Sequence, residues 1–225
     1  MKTNDPLPAH GERWPPLDAA RLNGALTSAP GLWREIRVVE ETGSTNADLL
    51  AEARSGARDG VVLVAEAQTA GRGRLGRRWV SPPRGTLTFS VLLRPAGVPA
   101  GLLGWLPLLA APDAASRPAG ADGADVRERL LATVLDELAR WYRAWRDQPR
   151  PGDADACGLR AEYLRRSDTV GAEVTVMLPG GQNLTGTATG VDPAGRLEVR
   201  TPAGLVQVSA GDVVHLRPAD TPAAR

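Results

Sequence analysis

The stretch GVVLVAEAQTAGRGRLGRRWVSPPRGTLTFSVLLRP, residues 60–95, decides how the rest of the chain is read. Its first nine residues, Gly60 to Gln68, form a short and nearly continuous apolar run, the pattern of a strand buried on both faces. Its last ten, Thr86 to Pro95, interleave β-branched and aromatic residues with small ones and predict a second strand. Between them lies AGRGRLGRRWVSPPRG, in which Gly71 to Trp79 hold four arginines and three glycines. Working outward, Gly43, Ser44, Thr45 and Asn46 form a turn ahead of ADLLAEARSG, which has helical periodicity and a terminal Gly56. WREIRVVEE before that turn predicts a further strand, with Ile36, Val38 and Val39 as its apolar members. Strand, helix, strand, basic loop, strand is an α/β arrangement.

The flanks extend this frame. Residues 1–16 are polar with four prolines and suit a disordered leader. LDAARLNGAL, Leu17 to Leu26, predicts a short amphipathic helix, too short a leader for a helix-turn-helix module. GLLGWLPLLA, Gly101 to Ala110, begins like a buried helix and gives way at Ala111 to Ala124 to a low-complexity linker. From Asp125, Leu130, Leu131, Val134, Leu138, Trp141 and Trp145 recur at steps of three and four, an amphipathic helix. From about Gly171 the period becomes two. EVTVMLPGG, NLTGTATGV, GRLEVRT and GLVQVSAGD, separated by Pro/Gly turns, predict a small β-barrel closed by Val213, Val214 and Leu216.

Composition narrows the chemistry. Twenty-seven basic and 26 acidic residues leave a net charge of +1, so any anion site is local. Lys2 is the only lysine, so nearly all the positive charge is arginine. One cysteine, Cys157, and two distant histidines, His10 and His215, assemble neither a disulfide framework nor a Cys/His metal site. No apolar run serves as a signal peptide or membrane span, and a cytoplasmic location is expected.

Glycines let a backbone approach a ligand and turn its N–H groups toward an anion, and guanidinium forks pair with phosphate or carboxylate. Trp79 can cover a base or exclude water. The competing reading of the loop is an RGG-like nucleic-acid tract, but its place between two buried strands favours a ligand site. Ser44 to Asn46 also suit a helix N-cap, and Gln68 passes for a polar strand end.

In this order, GSTN, helix, AEAQTAGRGRLGRRWVSP and GTLTFSVLLRP resemble the catalytic domain of biotin protein ligases. The long helix, LRAEYLRR and the C-terminal strands resemble that family's end of catalytic domain and SH3-like appendix. The resemblance implies an α/β (α+β) fold with a mixed sheet flanked by helices and a small SH3-like β-barrel. It divides the chain into a leader (1–16), a catalytic-type domain (17–168) interrupted at 111–124, and the appendix (169–218), with no N-terminal DNA-binding domain. The implied activity joins biotin to ATP as biotinyl-5'-AMP, with Mg²⁺, and passes biotin to a lysine of a carrier domain of acetyl-CoA or acyl-CoA carboxylase. Ser44, Thr45, Asn46 and Gln68, with Arg72, Gly73 and Arg74, would hold biotin. Arg72, Arg74, Arg77 and Trp79 would hold the adenylate. A homodimer is one assembly the resemblance allows, and no membrane is implied.

The chain also departs from the family. The K-W-P-N-D segment, the strand containing G-I-L and the G-x-G-x-N strand that follow in the family are absent, and with them the catalytic lysine, so no catalytic residue is assigned. The lost strands predict an unpaired apolar sheet edge. A non-catalytic protein that binds biotin or the carrier domain is the alternative, ahead of a lipoyl or octanoyl transferase.

Overall fold

The computed structural model describes residues 14–27, 31–72, 78–81, 83–109, 126–178, 182–209 and 215–218. The chain divides into two compact units, one of residues 1–94 and 117–133, the other of residues 95–116 and 134–225.

The first unit is built on β2 (Val61–Arg72), flanked by β1 (Glu35–Thr42), β3 (Arg78–Ser81) and β4 (Thr88–Leu92). β1 runs parallel to β2 with Glu35 opposite Val61 and Thr42 opposite Gln68, so their carboxyl ends lie side by side. Parallel neighbours need a crossover, and α2 (Thr45–Arg54) supplies it. On its other side β2 pairs antiparallel with β4 along Val61 to Ala65 and with β3 along Gln68 to Arg72. Occupied on both sides and covered on both faces, Val62, Val64 and Ala65 are fully buried, as the continuous apolar run requires. Leu49 of α2 packs on Val61 and Leu63.

Two details complete this unit. The entry to β2 requires glycine, because Gly60 has φ +81° and a Cβ there would lie 2.1 Å from the Leu32 carbonyl oxygen. α1 (Ala19–Leu26), capped by Asp18 through the Arg21 amide at 3.0 Å, protects the free edge of β1. Its Asn23 carboxamide takes the Ile36 N–H at 2.9 Å and gives a hydrogen to the Ile36 carbonyl at 2.7 Å, a side-chain substitute for a neighbouring strand. β4 pairs only with β2 among the described residues.

In the second unit a 3-10 helix, Ala100–Leu108, replaces the expected buried helix, consistent with Pro107 inside it. Trp105 at its centre is fully buried, donates from Nε1 to the Pro193 carbonyl at 2.9 Å and meets Tyr163 edge-on. α3 (Val126–Arg146) contributes Val126–Thr133 to the first unit and the remainder to the second. Its buried stripe there is Leu135, Leu138, Ala139, Trp141, Tyr142 and Trp145. Of the expected positions Leu131, Leu138, Trp141 and Trp145 are buried, Leu130 and Val134 are half-buried, and Leu135, Ala139 and Tyr142 join the stripe because a helix pressed into a core buries intermediate steps as well. α4 (Leu159–Arg166) follows.

The period-two region forms β5 (Glu173–Met177), β6 (Asn183–Val191), β7 (Leu197–Thr201), β8 (Gly204–Val208) and β9 (His215–Pro218). They make one antiparallel sheet in the order β8-β7-β6-β5-β9. Val174, Val176, Ala188, Val199 and Val208 are its buried side. No pairing closes β8 on β9 among the described residues, so the element is an open five-stranded sheet as far as the hydrogen bonds go. Val213 and Val214, the linker at 111–124 and the leader up to residue 13 lie outside the described residues.

Candidate functional site

The parallel pair β1 and β2 places the start of α2 beside the end of the paired run, where α/β sheets collect their ligands. The chain leaves β1 at Thr42, turns at Gly43, whose carbonyl accepts the Ala70 N–H at 2.9 Å, and enters α2 at Thr45. Thr42 Oγ1 donates to the Asp48 carboxylate in the first turn of α2, fixing the helix against the strand.

Within the turn the three candidate residues separate by role. Ser44 is the N-cap, with extended backbone and Oγ accepting the Ala47 N–H at 3.4 Å. Thr45 is 3% exposed and faces inward. Its N–H donates to Gln68 Oε1 at 3.1 Å, its hydroxyl lies 3.4 Å from the same oxygen, and it is 2.9 Å from the Ser90 hydroxyl of β4. Asn46 is exposed. Gln68 is buried rather than a solvated strand end. Because a peptide N–H can only meet an acceptor, Thr45 fixes the orientation of the Gln68 carboxamide. Its Nε2 makes no hydrogen bond among the described residues. A donor held in place by a buried network, at a helix N-terminus, is a preorganised contact for a carbonyl or anionic group.

The basic stretch enters as a hairpin. β2 runs on to Arg72, and β3 returns with Trp79 opposite Gly71 and Arg78 opposite Arg72, with a register shift between Gln68 and Gly71. The expectation of a loop over the whole of 70–85 is therefore corrected. Gly71 tolerates strand geometry, and the two described arms pair through their backbone groups. Arg72 and Trp79 are placed as cross-strand residues, whereas Gly73, Arg74 and Arg77 lie outside the described residues. Continuity of β2 joins this hairpin to Gln68.

Sequence reasoning missed a buried ion pair behind the site. Glu66, 1% exposed on β2, accepts Arg127 Nη2 at 2.6 Å and the Leu17 N–H at 2.7 Å. Arg127, in the first turn of α3, also reaches the carbonyls of Pro15 at 3.3 Å and Thr86 at 3.4 Å. The signal was a carboxylate inside an apolar strand, which demands a partner. Among the described residues no three His, Cys, Asp or Glu side chains gather to hold a metal, and no helix is long and apolar enough to cross a membrane.

Comparison with known proteins bears on this site. Residues 38–101 match the model of the biotin/lipoate A/B protein ligase family, and residues 169–216 that of the biotin protein ligase C-terminal domain. The biotin–[acetyl-CoA-carboxylase] ligase of Mycobacterium tuberculosis is 38% identical over 258 residues, covering 90% of this chain and 97% of the relative. Ninety per cent of 225 is about 203, so about 55 aligned positions of the 258 face no residue here. A biotin protein ligase from Aquifex aeolicus in complex with biotin and ATP has a similar fold, with TM-score 0.62 and 20% identity over 83% of this chain and all of that one. The biotin acetyl coenzyme A carboxylase synthetase of Helicobacter pylori with bound biotinylated ATP gives 0.51 and 14% over 76% of this chain and 98% of that one.

Proposed function

The chain belongs to the biotin protein ligase family, and from that membership we propose that it uses ATP to activate biotin as biotinyl-5'-AMP and transfers the acyl group to a lysine of a biotin carrier domain. The acceptor fits a carboxylase of the acetyl-CoA or acyl-CoA class, as the name of the mycobacterial relative suggests. The observation that carries the reading is the Thr45–Gln68–Ser90 network at the start of α2, continuous through β2 with the arginine-rich hairpin.

In this reading Ser44, Thr45, Asn46 and the Nε2 donor of Gln68 hold the biotin head. Arg72, Gly73 and Arg74 close on the carboxylate and α-phosphate, and Arg77 and Trp79 serve the nucleotide. Adenylation builds negative charge at phosphorus, so positioned cations and backbone donors lower its barrier. Mg²⁺ suits this scheme as an ion carried on the nucleotide phosphates with few protein ligands. Residues 17–168 form the catalytic-type part and 169–218 the appendix, and the protein works in the cytoplasm.

Lys2 is the only lysine, so the family's lysine contact to the α-phosphate has no counterpart. Losing one such transition-state donor costs about 10²–10³ in rate. The test is biotin-dependent exchange of pyrophosphate into ATP, followed by transfer of labelled biotin to an apo carrier domain. Exchange about 10²–10³ below that of a lysine-bearing relative is expected. Exchange at the relative's rate refutes the role given to the lysine, and failure to bind biotin refutes the ligand assignment. Tight biotin binding without any exchange identifies the second reading, a non-catalytic biotin-binding member, which the missing lysine favours.

A further inference from the structure

We infer that the Glu66–Arg127 pair is a positioning element of the ligand site, coupling the start of α3 to β2 and to the returning arm of the arginine-rich hairpin. Four segments meet at these two side chains. Glu66 lies two residues before Gln68 on the same strand, and its carboxylate holds Arg127 and the Leu17 amide. The Glu66 main-chain carbonyl accepts the Arg84 N–H at 2.8 Å, and the Arg127 side chain holds the Thr86 carbonyl at 3.4 Å, so one end of the turn that follows β3 is bonded to the backbone of β2 at Glu66 and the other to the pair itself. Arg84 is the only non-glycine residue with positive φ among those described, at 61°. A left-handed arginine persists when surrounding contacts impose it, and here the imposed contact is the one to the Glu66 carbonyl. The start of α3 is stitched down a second time, because Glu128 accepts the Asp18 N–H at 2.9 Å.

A buried ion pair is a poor choice for stability alone. Desolvating both charges offsets their attraction, and apolar residues of similar volume generally do as well or better. What the pair provides is direction: a planar fork accepts one arrangement of the carboxylate and the carbonyls of Pro15 and Thr86. The pair therefore holds the turn at 83–86, and through it β3, against the strand carrying Gln68. The geometry stands independently of the ligand, whereas the effect on affinity rests on the biotin-binding reading above.

The test uses the full chain and the double variant Glu66→Leu/Arg127→Met, which removes both charges and keeps the volume. Melting temperature, hydrogen–deuterium exchange of residues 78–88 and biotin affinity by calorimetry are measured together. The expected result is a melting temperature within a few degrees of the parent, exchange of the Arg84 amide faster by about tenfold or more, and biotin bound about 5–10-fold more weakly. A preserved melting temperature with unchanged exchange and affinity overturns the inference, since the pair would then only fill space. If the parent does not bind biotin, the ligand reading fails, and the exchange measurement alone decides the positioning role. Should the double variant not fold, Arg127→Lys keeps the charge but loses the fork. Faster exchange at Arg84 in that variant supports positioning, and unchanged exchange refutes it.

Discussion

Replacing Gln68 by leucine isolates the network on which the site depends. Gln68 is 4% exposed, and its Oε1 is the acceptor for the Thr45 N–H at 3.1 Å. Leucine fills nearly the same volume, so the cavity contribution is small. The cost comes from stranding a buried peptide N–H at the first residue of α2, about 1–3 kcal/mol. Thr45→Val keeps that N–H and removes only the hydroxyl, which lies between Gln68 and Ser90 at 3.4 and 2.9 Å, for about 1 kcal/mol. Because the two residues share bonds, the double variant should fall short of the sum by about 0.5–1.5 kcal/mol. Urea denaturation followed by circular dichroism gives the cycle, and calorimetry gives biotin affinity, expected to fall about tenfold in Gln68→Leu as the Nε2 donor is lost, about 1.4 kcal/mol. Stability within about 0.5 kcal/mol of the parent for Gln68→Leu, or strict additivity in the cycle, would show that the network does not hold α2 in place.

Other consequences are testable in the same way. Gly60→Ala places a methyl 2.1 Å from the Leu32 carbonyl oxygen at φ +81°, and should cost at least about 2 kcal/mol by denaturation; a loss below about 0.5 kcal/mol would contradict the described entry to β2. Asp192 organises the turn between β6 and β7, taking the amides of Ala194 and Arg196 at 2.9 Å each and Arg196 Nε at 2.7 Å. Burial pushes its carboxyl up, but the amide and guanidinium of Arg196 and the Ala194 amide outweigh this and hold it below the ordinary 3.8. Its stabilisation is therefore complete above about pH 4 and is lost as the pH falls through the lowered value. Asp192→Asn should flatten this acid-side loss in melting experiments between about pH 2 and 5, and an unchanged profile would exclude Asp192 as its source. Asp192→Ala should cost about 1.5–3 kcal/mol.

Much of the fold was legible because it rests on local physics. An apolar run of strand length, a helical period and a period of two each report on burial that any compact packing must provide, so β2, α2, α3 and the C-terminal sheet were foreseeable. The family was legible in Ser44 to Asn46, Gln68 and the Gly71 to Trp79 stretch, whose residue types match anion and polar-ligand chemistry. The boundary between loop and strand inside that stretch was not. Glycine and arginine carry little strand preference, and the pairing of Gly71 with Trp79 depends on a partner arm eight residues away. The 3-10 form of residues 100–108 was hidden for a similar reason, since periodicity does not distinguish helix types over so short a run.

Sequence alone determined the absence of any lysine beyond Lys2, the concentration of arginine beside a buried strand and the order of the elements. These are covalent facts, and they bound the chemistry whatever the fold. Tertiary structure decided how the three turn residues divide their work, with Ser44 capping, Thr45 buried on Gln68 and Asn46 exposed. It also decided that Glu66 finds its counter-charge 61 residues away in Arg127. The strand shows that a buried carboxylate needs a partner, but which of 26 arginines provides it depends on the packing of distant segments.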